Sequence, residues 1–166
     1  MKWMKEYIPY VFIILFVVLL RVYVISPVQV DGSSMVPTLQ DNEILLLKKY
    51  DHHFERFDIV VLKYNKEKLV KRIIGLPGET VVYRNNTLWI DGKKVEEKFL
   101  PENIVTSDFN LSGIGYTKIP NGYYFVVGDN RGDSLDSRYI GLIPKKDIEG
   151  TVSFRLFPFN VFGKID

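Results

Sequence analysis

The apolar residues of this chain are concentrated at its start. From Ile8 to Leu20 there is no charged side chain; Arg21 interrupts, and Val22 to Ile25 resumes the run. As an α-helix, Ile8–Ile25 would extend roughly 27 Å, enough to cross a bilayer core with help from its flanks. Arg21 near one end can snorkel toward the headgroups. Pro9 is expected in the first turn, where a missing N–H costs little. Lys2 and Lys5 precede the run, so residues 1–7 read as a short cytoplasmic tail, 8–25 as a single-pass anchor in the cell membrane, and 26–166 as an extracytoplasmic domain. A cleavable signal peptide has the same charged start and apolar run. A cut after Ser26, however, would leave Pro27 immediately beyond it, with the bulky Val24 where a small residue is wanted. A buried soluble helix would normally show a polar face.

After Pro27 the period changes. Ile59–Tyr64 and Leu69–Ile74 are short β-rich runs. Thr80–Tyr83 and Thr87–Ile90 flank Asn85-Asn86, a good hairpin turn, and Asp91-Gly92 leads into Lys93-Lys94-Val95. Tyr123–Val127 and Thr151–Phe154 add further strands, whereas residues 96–120 read as a loose excursion from the core. The expected class is all-β, with mostly antiparallel sheets after one N-terminal transmembrane helix. The 166 residues suit one soluble domain. Net charge is +2, from 22 basic and 20 acidic residues, too weak and interspersed for a nucleic-acid partner. The absence of cysteine excludes disulfides and thiolate metal sites.

Two short stretches propose chemistry. On an extended strand Leu69, Lys71 and Ile73 share one face and Val70, Arg72 and Ile74 the other. A lysine between Leu69 and Ile73 is desolvated, which lowers its pKa, and a nearby Arg72 would push the same way. The neutral amine that results can take a proton from a hydroxyl. Gly32-Ser33-Ser34-Met35, ahead of Pro37, offers that hydroxyl on a turn, and spacing alone leaves Ser33 and Ser34 both open. Ser34 lies nine residues beyond Ile25, so it is held within about 30 Å of the membrane, which favours a substrate emerging from the bilayer. A third stretch, Gly128 to Arg138, packs Asp129, Asn130, Arg131, Asp133, Ser134, Asp136 and Arg138 just after an apolar strand. That density suggests a buried polar network, stabilising only when every member is partnered.

Ser-Met-x-Pro-Thr, Lys-Arg-x-x-Gly-x-Pro-Gly and Gly-Asp-Asn-Arg-x-x-Ser-x-Asp-Ser-Arg, in this order after one N-terminal span, resemble type I signal peptidases. The likeness is to the short single-span form of Gram-positive bacteria, and it runs from the anchor to the last strand. The resemblance implies a signal peptidase-like β fold and a Ser/Lys-dyad serine endopeptidase that removes signal peptides from exported preproteins. Ser34, directly before Met35, becomes the nucleophile and Lys71 the general base. Ser134 would hydrogen-bond the lysine amine, Asp136 would pair with both Arg72 and Arg138, and Val30, Leu39 and Val70 would flank shallow pockets for small side chains. No cofactor and no metal are implied. The implied partners are preprotein signal peptides, the lipid bilayer and the secretion translocon. Three positions depart from the pattern: Glu79 replaces an Asp, Phe57 stands where Gly is common, and Gly32 lacks the second serine of some relatives. The Ser34 N–H is then the surest oxyanion donor.

Other readings compete. A Ser-His-Asp enzyme would need His52 or His53, the only histidines, which lie in a charged, surface-like loop without a third metal ligand. A self-cleaving repressor-type Ser/Lys protease would carry a soluble N-terminal region instead of an anchor. A catalytically inactive membrane-tethered β-module, binding signal peptides or partner peptidases, would have no use for both Ser34 and Lys71. Finally, Phe154 to Phe162 is rich in aromatics that either complete a core or dip into the membrane interface.

Overall fold

The computed structural model describes residues 2–50 and 53–165, with side chains from residue 7 onward except those of Leu20 and Val22. His52 lies outside the described residues. Helix α1 (Lys2–Tyr23) precedes β1 (Ile25–Gln29). It starts earlier than expected, which puts Pro9 inside the helix instead of in its first turn, and it stops before Ile25, the first residue of β1. Among the described residues no helix is long and apolar enough to cross a membrane.

The rest of the chain is built on antiparallel strands, as its period-2 patterning demands. The larger sheet contains β1, β2 (Ile44–Lys48), β3 (Ile59–Tyr64), β4 (Glu67–Gly75), β9 (Tyr123–Val127), β10 (Ile143–Pro144) and β11 (Ile148–Phe157). Their order is β1-β2-β11-β3-β4-β9-β10, with β12 (Gly163–Lys164) on β11. A smaller sheet has the order β7-β6-β5-β8, from β5 (Val81–Arg84), β6 (Thr87–Ile90), β7 (Lys93–Val95) and β8 (Phe109–Asn110). The β5–β6 hairpin turns at Asn85 and Asn86, both in the left-handed conformation that asparagine tolerates. The 96–120 segment is less loose than its composition suggests. It supplies β8 to the small sheet and buries Thr106, Leu111 and Ile119.

Both faces of the large sheet are covered, which explains why its strands read as near-continuous apolar runs. Ile73 joins Val60, Leu62, Val126 and Ile148 on one side, while Ile74 packs with Phe125, Val127 and small-sheet residues Val81, Tyr83 and Leu88 on the other. A third cluster gathers Val30, Met35, Leu39, Leu45, Val61 and Val70. The β4–β9 register shifts between Ile73 and Gly75. A Cβ on Gly75 would run into Ile119 and Val81.

Candidate active site

The nucleophile turn is fixed from below. Met35 and Leu39, 1% and 0% exposed, sink into the apolar cluster beneath it. The Gly32 N–H donates to Asp41 Oδ1 at 2.8 Å. Gly32 sits at φ 89°, a conformation open to glycine, so the chain can turn tightly just ahead of Ser33. From above, the loop after β9 clamps the turn. Asn130 N–H and Nδ2 donate to the carbonyls of Ser34 and Ser33, both at 3.1 Å, and Ser33 Oγ donates to Asp133 Oδ2 at 2.9 Å. Gly128 is required at this contact, because a Cβ there would meet Ser134 and the Ser34 carbonyl. The Ser33 hydroxyl is thus engaged by a carboxylate, and the Ser34 hydroxyl faces Lys71.

Lys71, on β4 opposite Val60, places Nζ 2.6 Å from Ser34 Oγ and 2.9 Å from the Val70 carbonyl, donating to each. The side chain is 2% exposed. Burial pushes its ammonium down from 10.5 to about 8, against the smaller upward pull of Asp136 and Asp129, because the charged form loses its hydration. The downward push anticipated from Arg72 is replaced by this upward pull of carboxylates, because Arg72 is consumed in an ion pair.

That pair corrects one expectation. Arg72 binds Asp129 instead of Asp136: Nε donates to Oδ1 at 2.9 Å and Nη2 to Oδ2 at 2.6 Å, with both residues buried. Asp136 pairs with Arg138 alone, at 2.8 and 2.9 Å, and accepts from the Gly128 N–H at 3.0 Å. A second correction concerns Ser134, whose Oγ is buried without a hydrogen-bond partner and does not reach the lysine amine. Several partnerships within the network were not read from the sequence. Asp129 accepts from Thr38 Oγ1 at 2.6 Å as well as from Arg72. Arg131 donates to Glu97, Thr106 and Tyr83, and the Phe99 ring lies 3.9 Å from Arg72 Cζ. The dense polar stretch at 128–138 signalled Asp129 and Arg131, but nothing local marked Glu97 or Phe99 as their partners.

The proposed pocket residues are split. Val30 lines an open groove of about 740 Å³, together with Pro27, Val28, Gln29, Asn42, Glu67 and Leu69. Leu39 and Val70 belong to the apolar cluster that includes Val30, 0% and 7% exposed, and do not line the groove. The groove is bounded by two strand edges with spare hydrogen-bonding capacity. Among the described residues β1 pairs only with β2, and residues 67–71 of β4 pair only with β3, since β9 joins at Arg72. Among the described residues no His/Cys/Asp/Glu cluster could hold a metal ion.

A serine touching a desolvated lysine, beside a groove between two strand edges, suits a peptide-processing site, and comparison with known proteins agrees. Residues 2–157 match the family described as "Signal peptidase, peptidase S26". The chain belongs to the S26 signal peptidase family. It is 44% identical to Signal peptidase I of Bacillus licheniformis, over 99% of this chain and 92% of that protein. Identity to Signal peptidase I S of Bacillus subtilis (strain 168) is 42%, with the same coverage of both chains. The crystal structure of a signal peptidase I from Enterococcus faecalis V583 is similar at a TM-score of 0.55 and 40% identity, covering 59% of this chain and 95% of that one. The mostly antiparallel fold expected from the sequence is therefore the family's.

Proposed function

We propose that this S26 family member is a membrane-bound serine endopeptidase that removes N-terminal signal peptides from exported preproteins, with Ser34 as nucleophile and Lys71 as general base. The observation that carries the proposal is the 2.6 Å contact between Lys71 Nζ and Ser34 Oγ in a buried setting. Once the amine is neutral the bond reverses: the Ser34 hydroxyl donates and the lysine lone pair accepts, so attack on a peptide carbonyl delivers the serine proton to Nζ. The ammonium formed is stabilised by Asp129 and Asp136 and returns its proton to the leaving amine. Water then hydrolyses the ester with Lys71 again as base. The Ser34 N–H donates to the developing oxyanion.

The substrate enters the groove as an extended strand between β1 and the start of β4, hydrogen-bonding to both edges. Val30, Val70 and Leu39 are packed in one apolar cluster, and small side chains before the cut would fit against it where large ones would clash. The Asp136–Arg138 pair supports the loop that clamps the Ser34 turn, and Arg72 braces Asp129.

The anchor reading for residues 8–25 rests on α1, whose side chains from Tyr7 to Leu19 are exposed on every side. A helix that is apolar all round and uncovered by its own protein is suited to lipid. Residues 1–7 then remain cytoplasmic and 26–166 form the extracytoplasmic domain. Phe157, Phe159 and Phe162 are 44%, 80% and 56% exposed. They add a second apolar contact with the bilayer. Association with the translocon follows from the shared substrate. The deciding experiment is preprotein cleavage in liposomes by the intact chain beside Ser34→Ala and Lys71→Ala. Both variants should be inactive, and retained cleavage by either would overturn the assignment. An inactive tether would leave the intact chain without activity as well.

A further inference from the structure

Phe57 holds a left-handed backbone conformation, φ 73°, which glycine takes freely and a bulky side chain takes only at a cost. The backbone there is fixed on both sides. The Phe57 N–H donates to the Ile73 carbonyl at 2.7 Å, and the Phe57 carbonyl accepts from Arg72 Nη1 at 3.0 Å. Glycine would satisfy both bonds without strain, so the ring itself needs a reason. It meets the Phe99 ring at a centroid distance of 5.1 Å and an angle of 60°, and the Phe99 ring in turn lies 3.9 Å from Arg72 Cζ. Both rings and Arg72 line a cavity of about 940 Å³.

We propose that Phe57 and Phe99 form an aromatic clamp that positions Arg72, and through it Asp129 and Lys71, for catalysis. Arg72 follows Lys71 on β4, and its partner Asp129 also accepts from Thr38, four residues past the nucleophile. One guanidinium therefore ties the base strand, the nucleophile turn and the loop after β9 together. A cation seated on an aromatic face keeps its in-plane donors aimed at the carboxylate. If Arg72 tilts, the Asp129 charge is less neutralised and acts more strongly on Lys71. The charged groups around Lys71 are Asp129 and Asp136 from the loop, Arg72 beside it on β4, and Arg138 on Asp136; the β3 residue opposite is the apolar Val60. Loss of the clamp thus raises the proton affinity of Lys71 and lowers the fraction of free amine near neutral pH.

This inference rests on the proposed peptidase activity, and the test keeps the two apart. Preprotein cleavage by the full chain in detergent is followed from pH 6 to 10 for wild type, Phe99→Leu, Phe99→Trp, Phe57→Gly and Ser34→Ala. Phe57→Gly suits the existing backbone but removes a ring packed on the core, so circular dichroism and the unfolding midpoint are read beside activity, and Phe99→Leu tests the clamp independently. Phe99→Leu and Phe57→Gly should each lower kcat by about tenfold with KM within about twofold, as expected for lost positioning. The acid limb of kcat/KM should move to higher pH by about half a unit or more in both. Phe99→Trp should stay within about threefold of wild type, since Trp offers the best cation-binding face. Unchanged kcat and acid limb in Phe57→Gly and Phe99→Leu would overturn the clamp, as would a Trp variant no better than Leu. Cleavage surviving in Ser34→Ala would instead overturn the activity on which the inference rests.

Discussion

Replacing Lys71 by Met should move stability and chemistry in opposite directions. The lysine is 2% exposed, and burial lowers its ammonium from 10.5 to about 8. Below pH 8 the folded chain holds a cation that its surroundings disfavour. Between pH 8 and 10.5 the unfolded lysine keeps its proton while the folded one has released it, so this group makes stability rise with pH across that window. The handicap is fully present below pH 8 and gone above 10.5. The difference between 10.5 and about 8 amounts to about 3 kcal/mol. Met fills a similar volume without charge, so Lys71→Met should be the more stable protein at pH 7. Its advantage should shrink by about 3 kcal/mol as pH rises from 7 to 11. Activity goes the other way, because loss of a positioned base costs roughly 10²–10⁴-fold. Denaturant unfolding of both proteins in detergent at pH 7, 9 and 11 measures the first effect, and preprotein cleavage measures the second. A stability difference that does not change with pH would refute the buried-ammonium argument. Processing by Lys71→Met at the wild-type rate would refute the role of the amine.

Asp129→Ala leaves the buried Arg72 cation without its carboxylate and should destabilise by about 3–5 kcal/mol, read as a lowered denaturation midpoint. Gly128→Ala drives a methyl group into Ser134 and the Ser34 carbonyl, so kcat should fall by about 10²-fold while the fold survives in circular dichroism. Ser134→Ala removes a buried hydroxyl that has no partner. In the same unfolding assay it should be neutral or stabilising, by at most about 2 kcal/mol. Replacing Phe157, Phe159 and Phe162 together with Ser should weaken liposome binding of residues 26–166 lacking the anchor, and a sedimentation assay with unchanged partitioning would count against membrane contact there.

Local pattern made much of this protein legible. The Asn85-Asn86 hairpin, the β3 and β4 runs and the strand before Gly128 appear where alternation and turn residues put them, because those signals act over a few residues. The desolvation of Lys71 was readable too, since Leu69 and Ile73 flank it along the strand. The edges of elements were less readable. β1 begins at Ile25 because pairing with Lys48 of β2 outweighs the apolar continuity of the preceding run.

Partner choice lay beyond local pattern. The resemblance gave the Arg72 guanidinium to Asp136, because spacing along the chain cannot rank Asp136 against Asp129. The turn after β9 resolves it: Asp129 points at Arg72, while the Gly128 N–H and Arg138 hold Asp136. Glu97 and Phe99 looked like loop residues, yet the small sheet carries them onto Arg131 and Arg72. Composition and spacing thus determined the strands, the apolar helix and the residues able to do acyl transfer, since each depends on neighbours along the chain. Which charges pair, and that Ser34 rather than Ser33 meets the amine, was decided only when strands distant in sequence closed around one small desolvated volume.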